Sequence, residues 1–403
     1  MSESVTQVTS PDRESAQLSA AIDRFALYSG DAVEQLVQRM GALSAAANAS
    51  RQRAVGVALA GWGVLLVLTL ASGTAAGFPG AFLSDANAFA RYLLAAPLLV
   101  LMDRRVDAQL RRYLAHFVDA PLIAPHHMSD AAAAIVRAID RARNREALVI
   151  CAALAFCLVL CGHLFREVQL PDWRYTGDAD ATRVTLAGLW AGVVAAPLFW
   201  FLLLRAIWRY LCWAMLLRQV ARLDLRLVAA HPDNSGGLGF LGQHPNVFSA
   251  LMFALAVSVA GSVAQGLNSG RISPEAYGWM LSFWVAFTAG FFAISLTAFR
   301  TPLADLKRRT RFAAAASATR RLRAQEREVF GRNFAAPDAR EASADVPDAA
   351  KLDEAARKMR TIPFSRAAIL PLTASALLPL LVAGATQLPL KDLLSAARKL
   401  LVL

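Results

Sequence analysis

The chain has 403 residues, 56% of them hydrophobic and 18% charged, and a mean hydropathy of +0.41. One or two water-soluble domains cannot bury that much apolar surface, so a lipid bilayer must act as solvent for much of the chain. The net charge of +12 would suit nucleic acid, but no recognition fold accompanies it, and in a membrane protein basic residues first report orientation.

Residues 1–53 are polar and mixed in charge, without the early apolar core of a cleavable signal peptide, and read as a cytoplasmic N-terminal helical region. A helix needs about 20 apolar residues, rising about 1.5 Å each, to cross a hydrocarbon core about 30 Å thick. Residues 54–102 hold spans 1 and 2. The second is short and carries Arg91, which is expected to snorkel to the interface beside Tyr92. Residues 103–146 follow as a basic cytoplasmic helical hairpin. In it Ser129 and Asp130 start an Ala-rich helix with Arg137, Arg141 and Arg145 at i, i+4, running unbroken into the third span.

Spans 3 and 4 fill 147–204, and the fourth continues into 205–246, a cytoplasmic helix extension that ends in a Gly-rich loop. Spans 5 and 6 fill 247–299. Residues 300–366 read as an Arg-rich cytoplasmic helix, a linker over 335–347 and a short helix over 348–360. In 367–403, Pro371, Pro379 and Pro389 interrupt an apolar run that is either a seventh span or a re-entrant segment. Its basic tail, with Leu390, Leu393, Leu394, Ala397 and Leu400 on one helical face, is suited to lie at an interface.

Lys and Arg number five, eight, five and sixteen in the stretches before 54 and over 103–146, 205–246 and 300–366; the alternating stretches hold none, three and one. That alternation places the N-terminus in the cytoplasm. The fold expected is therefore all-α: a polytopic membrane helical bundle of six or seven transmembrane helices, some extending into a cytoplasmic helical layer, in a bacterial inner membrane. Cys151, Cys157, Cys161 and Cys212 lie in or beside apolar runs and imply no disulfide.

Residues 231–242, HPDNSGGLGFLG, followed by Gln243, His244, Pro245 and Asn246, form the most distinctive stretch. As a turn, Pro232 and Asn234 end a helix while Gly236, Gly237 and Gly239 supply positive φ. As a site, His231, Asp233 and His244 carry metal-ligating groups, although their spacing matches no established metal motif. A dinucleotide fingerprint needs a strand and a βαβ unit, which are missing here. The HPD triplet also lacks the soluble hairpin of a J-domain. The HPD-x-x-GGLGFL stretch resembles one in uncharacterised bacterial multi-span inner-membrane proteins; it covers about a dozen of the 403 residues and implies no activity.

No Asp, Glu or Lys falls inside the clearly apolar spans, which argues against proton- or sodium-coupled transport. His163 is the only histidine within a span, which argues against bis-His haem; no cofactor is expected. Ala254, Ser258, Ser262 and Gly266, with Gln265 beside them, form a small-residue face suited to close helix packing or to a pore wall. Arg205 and Arg209, and farther on Lys307, Arg308, Arg309 and Arg311, are candidates to face anionic lipid or a partner.

The leading expectation is an oligomeric channel or uncoupled transporter. In the order of its parts alone the chain resembles the seven-span insect chemoreceptor channels. The alternatives are a membrane scaffold or sensor recruiting a cytoplasmic partner or anionic lipid and, last, a metal-dependent enzyme at the His231–His244 loop, for which no catalytic set can be assembled. The partners implied are the lipid bilayer and further copies of the chain, with no nucleic acid.

Overall fold

Lipid offers no hydrogen bonds, so an apolar run that crosses it must satisfy its backbone internally, and here each does so as a helix. The computed structural model describes residues 11–30, 49–72, 78–164, 172–176, 183–335, 349–363 and 366–385. The main helices are α1 (Pro11–Asp23), α2 (Ser50–Ala71), α3 (Ala86–Asp119), α4 (Met128–Arg143), α5 (Arg145–Leu164) and α6 (Leu186–Val220). They continue as α7 (Ser249–Asn268), α8 (Pro274–Leu296), α9 (Arg300–Phe330), α10 (Ala349–Lys358) and α11 (Arg366–Ala385). Six helical stretches are long and apolar enough to cross a membrane: α2, α3, α5, α6, α7, and the run through α8 and α9. The protein is an all-α polytopic membrane bundle. Among the described residues the one strand pair joins Tyr175–Thr176 to Arg183–Val184, antiparallel.

Helix α7 is the central element: 61% of its apolar window is buried, against 22% for α2 and α5, whose apolar side chains face outward. It can sit there because it is narrow. A Cβ on Gly261 would lie 2.8 Å from the Ala90 Cβ and 3.0 Å from the Asn87 Cα of α3, so only glycine allows this approach. Helix α11 packs along α7 and α8. Tyr277 OH donates to the Leu380 carbonyl at 2.8 Å and Trp284 Nε1 to the Ala376 carbonyl at 2.9 Å, on either side of Pro379. Helix α11 therefore runs antiparallel to α8 over 20 residues, about 30 Å at 1.5 Å per residue, and does not turn back within the described residues. The amphipathic tail and most of the 335–347 linker lie outside them.

Two boundaries differ from the sequence reading. Helix α4 does not run into α5: Asn144 leaves helical geometry at ψ 125°, and its side chain accepts from Glu146 N at 2.9 Å, capping the next helix. Helix α3 runs on to Asp119, well past residue 102, because Leu99, Met102, Val106 and Leu110 continue one buried face. Asp103 and Asp107 share that face. Asp107 accepts N–H bonds from Leu27, Tyr28 and Ser29, which fixes the turn after α1 with Phe25, Leu27 and Tyr28 buried. Helix α9 ends at Gly331, which takes the left-handed conformation with φ 72°. Lys307 Nζ donates to the Met359 carbonyl at 2.7 Å and holds the segment after α10 against α9.

Candidate functional site

Three crossing helices widen at the same end of the bundle, the end away from α4 and α9. π-Helical turns occupy Leu59–Gly63 in α2, Phe89–Ala95 in α3 and Ala191–Ala195 in α6, and the turn of α2 packs on the other two. Such turns are well under 1% of residues in soluble proteins and concentrate at functional sites. Two have a visible cause. Pro97 and Pro197 follow them at the same offset, in Ala95-Ala96-Pro97 and Ala195-Ala196-Pro197. A proline lacks the N–H and its ring crowds the carbonyl four residues back, which the wider turn relieves. In the third, Gly61 lets α2 and α3 close: a Cβ there would lie 3.3 Å from the Tyr92 Cβ.

A cavity of about 230 Å³ lies against the turns of α3 and α6, lined by Asn87 and Arg91 of α3, His163 of α5, Gly192 and Trp200 of α6, and Arg174 just before the strand pair. Arg91, expected at the lipid interface, turns inward. Its Nη2 donates to Ser262 Oγ of α7 at 3.1 Å, and its guanidinium lies 5.9 Å from the Phe199 ring and 5.7 Å from the Trp200 ring. A second cavity of about 230 Å³, lined by Ser258, Ser262 and Met280, also has Arg91 and Trp200 in its wall.

The rest of the lining is held from outside. Arg174 Nη2 is 2.8 Å from Asp85 Oδ2, and Trp173 Nε1 donates to the same oxygen at 2.9 Å. A Cβ on Gly188 would lie 2.3 Å from the Arg174 carbonyl oxygen, so glycine there seats the strand pair on α6. His163 Nδ1 is 3.2 Å from Tyr175 OH, and its Nε2 occupies space that a Cβ on Gly192 would contest at 3.0 Å. Asn87 Oδ1 is buried without a hydrogen-bond partner among the described residues. Two guanidinium groups and an imidazole thus line one cavity, with no carboxylate among its described lining residues, while Arg174 is paired behind the lining with Asp85 at 2.8 Å and Asp172 at 3.5 Å. That donor set is suited to a small anion.

The residues singled out in the 231–244 loop behave differently. Asp233 accepts N–H bonds from Ser235 at 2.8 Å, Gly237 at 3.0 Å and Gly239 at 2.7 Å, and its Oδ1 is 2.8 Å from His231 Nδ1. Burial raises its carboxyl pKa, but these hydrogen bonds prevail and the net shift is downward. Asn234, Gly236 and Gly237 take φ of 53°, 68° and 97°, and a Cβ on Gly239 would lie 2.7 Å from the Asp233 Cβ. The Asn234 carbonyl accepts from Arg360 N at 2.7 Å. The loop is a self-satisfied turn. His244 stands apart from His231 and Asp233, fully buried with Nε2 3.2 Å from Ser295 Oγ. Among the described residues no group of three metal-ligating side chains includes His231, Asp233 or His244.

On α7, Ala254 and Ser258 are buried, and the Ser258 and Ser262 hydroxyls bond the carbonyls of Ala254 and Ser258. Gln265 is exposed, and Gly266 admits the Ile272 side chain. This face serves packing at Ala254 and meets a cavity at Ser258 and Ser262. Arg205 and Arg209 do not face lipid. They are buried, with Arg205 Nη2 2.6 Å and Arg209 Nη1 3.5 Å from Asp103 Oδ2. Their inward turn follows from Asp103, which lies one residue past the expected end of span 2. Arg308, Arg309 and Arg311 are exposed on α9, and Arg308 pairs with Asp305 at 2.8 Å. All four cysteines are free.

In comparisons with known proteins, no family model matches the chain, and neither a curated protein nor a solved structure does.

Proposed function

We propose that the chain is an oligomeric channel or uncoupled transporter of a bacterial inner membrane, and that it passes a small anion through the cavity at Arg91. The observation that carries this reading is the convergence of Arg91, Arg174, His163 and Asn87 on one cavity walled by the π-helical turns of α3 and α6. The half-buried Arg91 guanidinium, partly screened from water by the Phe199 and Trp200 rings, attracts an anion more strongly than it would in open water. Arg91 and Trp200 wall both cavities, so the Arg91 guanidinium stands between them. Toward the other end the single chain is filled by Trp213, Tyr210, Phe248 and Phe292, so the path is completed by movement or by a second copy. The alternation of Lys and Arg counts supports a cytoplasmic N-terminus. Proteoliposomes given chloride, nitrate or formate gradients should show anion flux above potassium flux. No flux of any of these anions under any gradient would remove the reading.

A second reading, recruitment of anionic lipid, is favoured by one feature. A groove of about 810 Å³ is lined by Arg51, Arg104 and Arg105 and continues over apolar Ala54, Leu98 and Leu101. Native mass spectrometry should find an anionic phospholipid retained by the purified protein and lost when the three arginines become glutamine. Equal retention by both proteins would end this reading.

A further inference from the structure

At the opposite end of the bundle from Arg91, two loops far apart in sequence are stitched together by backbone. Ile123 and Leu225 form an antiparallel bridge, and Arg226 N donates to the Leu122 carbonyl at 2.8 Å. The first loop then makes a single 3-10 turn, Pro125–His127, before α4; the second follows the end of α6. The pairing sets His126 and His127 beside Asp224. His127 Nε2 is 3.6 Å and His126 Nε2 is 4.0 Å from Asp224 Oδ2, and the three ligand atoms lie within 4.8 Å of one another.

We propose that His126, His127 and Asp224 bind a divalent transition metal of the zinc class, clamping the α3–α4 loop to the segment after α6. Two imidazoles and a carboxylate are a donor set such ions take, with a fourth position left to water. At metal–ligand distances of about 2.0–2.1 Å, tetrahedral ligand atoms sit about 3.3 Å apart. Closing the 3.6 and 4.0 Å separations, and that between the two imidazole nitrogens, which is no more than 4.8 Å, takes shifts of up to about an ångström from side chains with room to move. His126 and Asp224 are 68% and 85% exposed.

A second feature separates this cluster from a chance meeting of surface groups. Asp130, in the first turn of α4, accepts at His127 Nδ1 from 2.9 Å. That contact fixes the ring with Nε2 toward Asp224, the orienting carboxylate that accompanies metal-bound histidine. His127 is also the least exposed of the three, at 26%, as the residue held from both sides should be. Asp130 is a positioning residue and does not touch the ion.

The test is zinc and cobalt binding by the purified full-length protein in detergent, read by equilibrium dialysis with elemental analysis and by the visible d–d absorption of bound cobalt. One ion per chain is expected, with an upward shift in unfolding temperature on addition of zinc. His127→Ala and Asp224→Ala should each weaken binding at least tenfold, and Asp130→Asn, which leaves all three ligands in place, by about tenfold. His126 and Asp224 are exposed, at 68% and 85%, so their variants should keep the metal-free unfolding temperature; for the half-buried His127, a cooperative metal-free unfolding transition checks that the variant folds. Zinc uptake equal in the wild type and in the His126→Ala, His127→Ala, Asp224→Ala triple variant would overturn the proposal, as would no uptake by either. This outcome is independent of anion flux.

Discussion

Arg91 of α3 and Ser262 of α7 meet across a helix interface, with the guanidinium Nη2 3.1 Å from the hydroxyl oxygen. The contact exists because Gly261, one residue before the serine, has no side chain to hold α3 away. Turning the half-buried arginine inward instead of toward the headgroup region costs free energy, which ring faces, a hydroxyl and a polar cavity offset in part. An anion in that cavity offsets more. Arg91→Gln should therefore weaken anion-dependent thermal stabilisation at least tenfold, about 1.4 kcal/mol. Arg91→Lys should fall between the two, keeping the charge but losing the planar donors. Unfolding temperatures in detergent across a nitrate titration check both.

The same interface predicts the effect of filling Gly261. Gly261→Val places methyl groups where the Ala90 Cβ and Asn87 Cα already stand, and should destabilise the protein by about 1–3 kcal/mol as α3 and α7 are pushed apart. Gly290, whose Cβ would meet nothing within 4 Å, serves as the control, with Gly290→Val costing far less in the same unfolding assay.

Asp103 Oδ2 lies 2.6 Å from Arg205 Nη2 and 3.5 Å from Arg209 Nη1, a carboxylate shared by two buried guanidinium groups. Asp103→Asn leaves two buried guanidinium groups without that countercharge and should cost about 3–5 kcal/mol. Replacing all three residues with apolar ones of similar size should recover part of the loss, since the two guanidinium groups are removed with their carboxylate while buried Asp107 keeps its N–H donors. Equal stability of Asp103→Asn and wild type in detergent unfolding would show that the cluster contributes nothing.

His244 gives a pH dependence. Burial lowers its pKa from 6.5 to about 3, so the folded protein keeps the ring neutral while the unfolded chain protonates it below about 6.5. The stability from the neutral buried ring is whole above the unfolded value and is lost as pH falls from there toward 3. The slope is at most about 1.4 kcal/mol per pH unit. His244→Gln should remove that slope between pH 6 and 4 in a series of unfolding measurements, whatever its effect at pH 8.

Asp233 holds its loop from within, so Asp233→Ala leaves the N–H groups of Ser235, Gly237 and Gly239 without their acceptor. It should cost about 1–3 kcal/mol and open residues 231–239 to protease, while anion binding at the far end of the bundle persists. Loss of anion binding with an intact loop would instead give Asp233 a role in transport.

Hydropathy and charge alternation were enough to read the crossing helices, because lipid requires long apolar helices and basic residues mark the ends between them. The site was mostly hidden. Arg91 near the start of a short span reads as a snorkelling residue until Gly261, 170 residues later, is seen to pull α7 against it. Asp103 and Asp107 lie past the apolar run, yet Leu99, Val106 and Leu110 at helical spacing carry the same face onward, a signal within reach. The repeated Ala-Ala-Pro at 95–97 and 195–197 was likewise visible, and it foretells two of the three π-helical turns. By contrast, the pairing of His126 and His127 with Asp224 depends on one backbone bridge between loops, which no local pattern announces. The glycine-rich loop drew attention for composition that its own turn geometry explains.

The most direct measurement is nitrate or chloride flux into proteoliposomes holding wild type or Arg91→Gln at equal density, with the folded fraction of each checked by size exclusion. The wild type should pass the anion, and the variant should pass it at no more than a tenth of that rate, with potassium flux negligible in both. Equal anion flux through the two proteins would contradict a binding cavity built on Arg91.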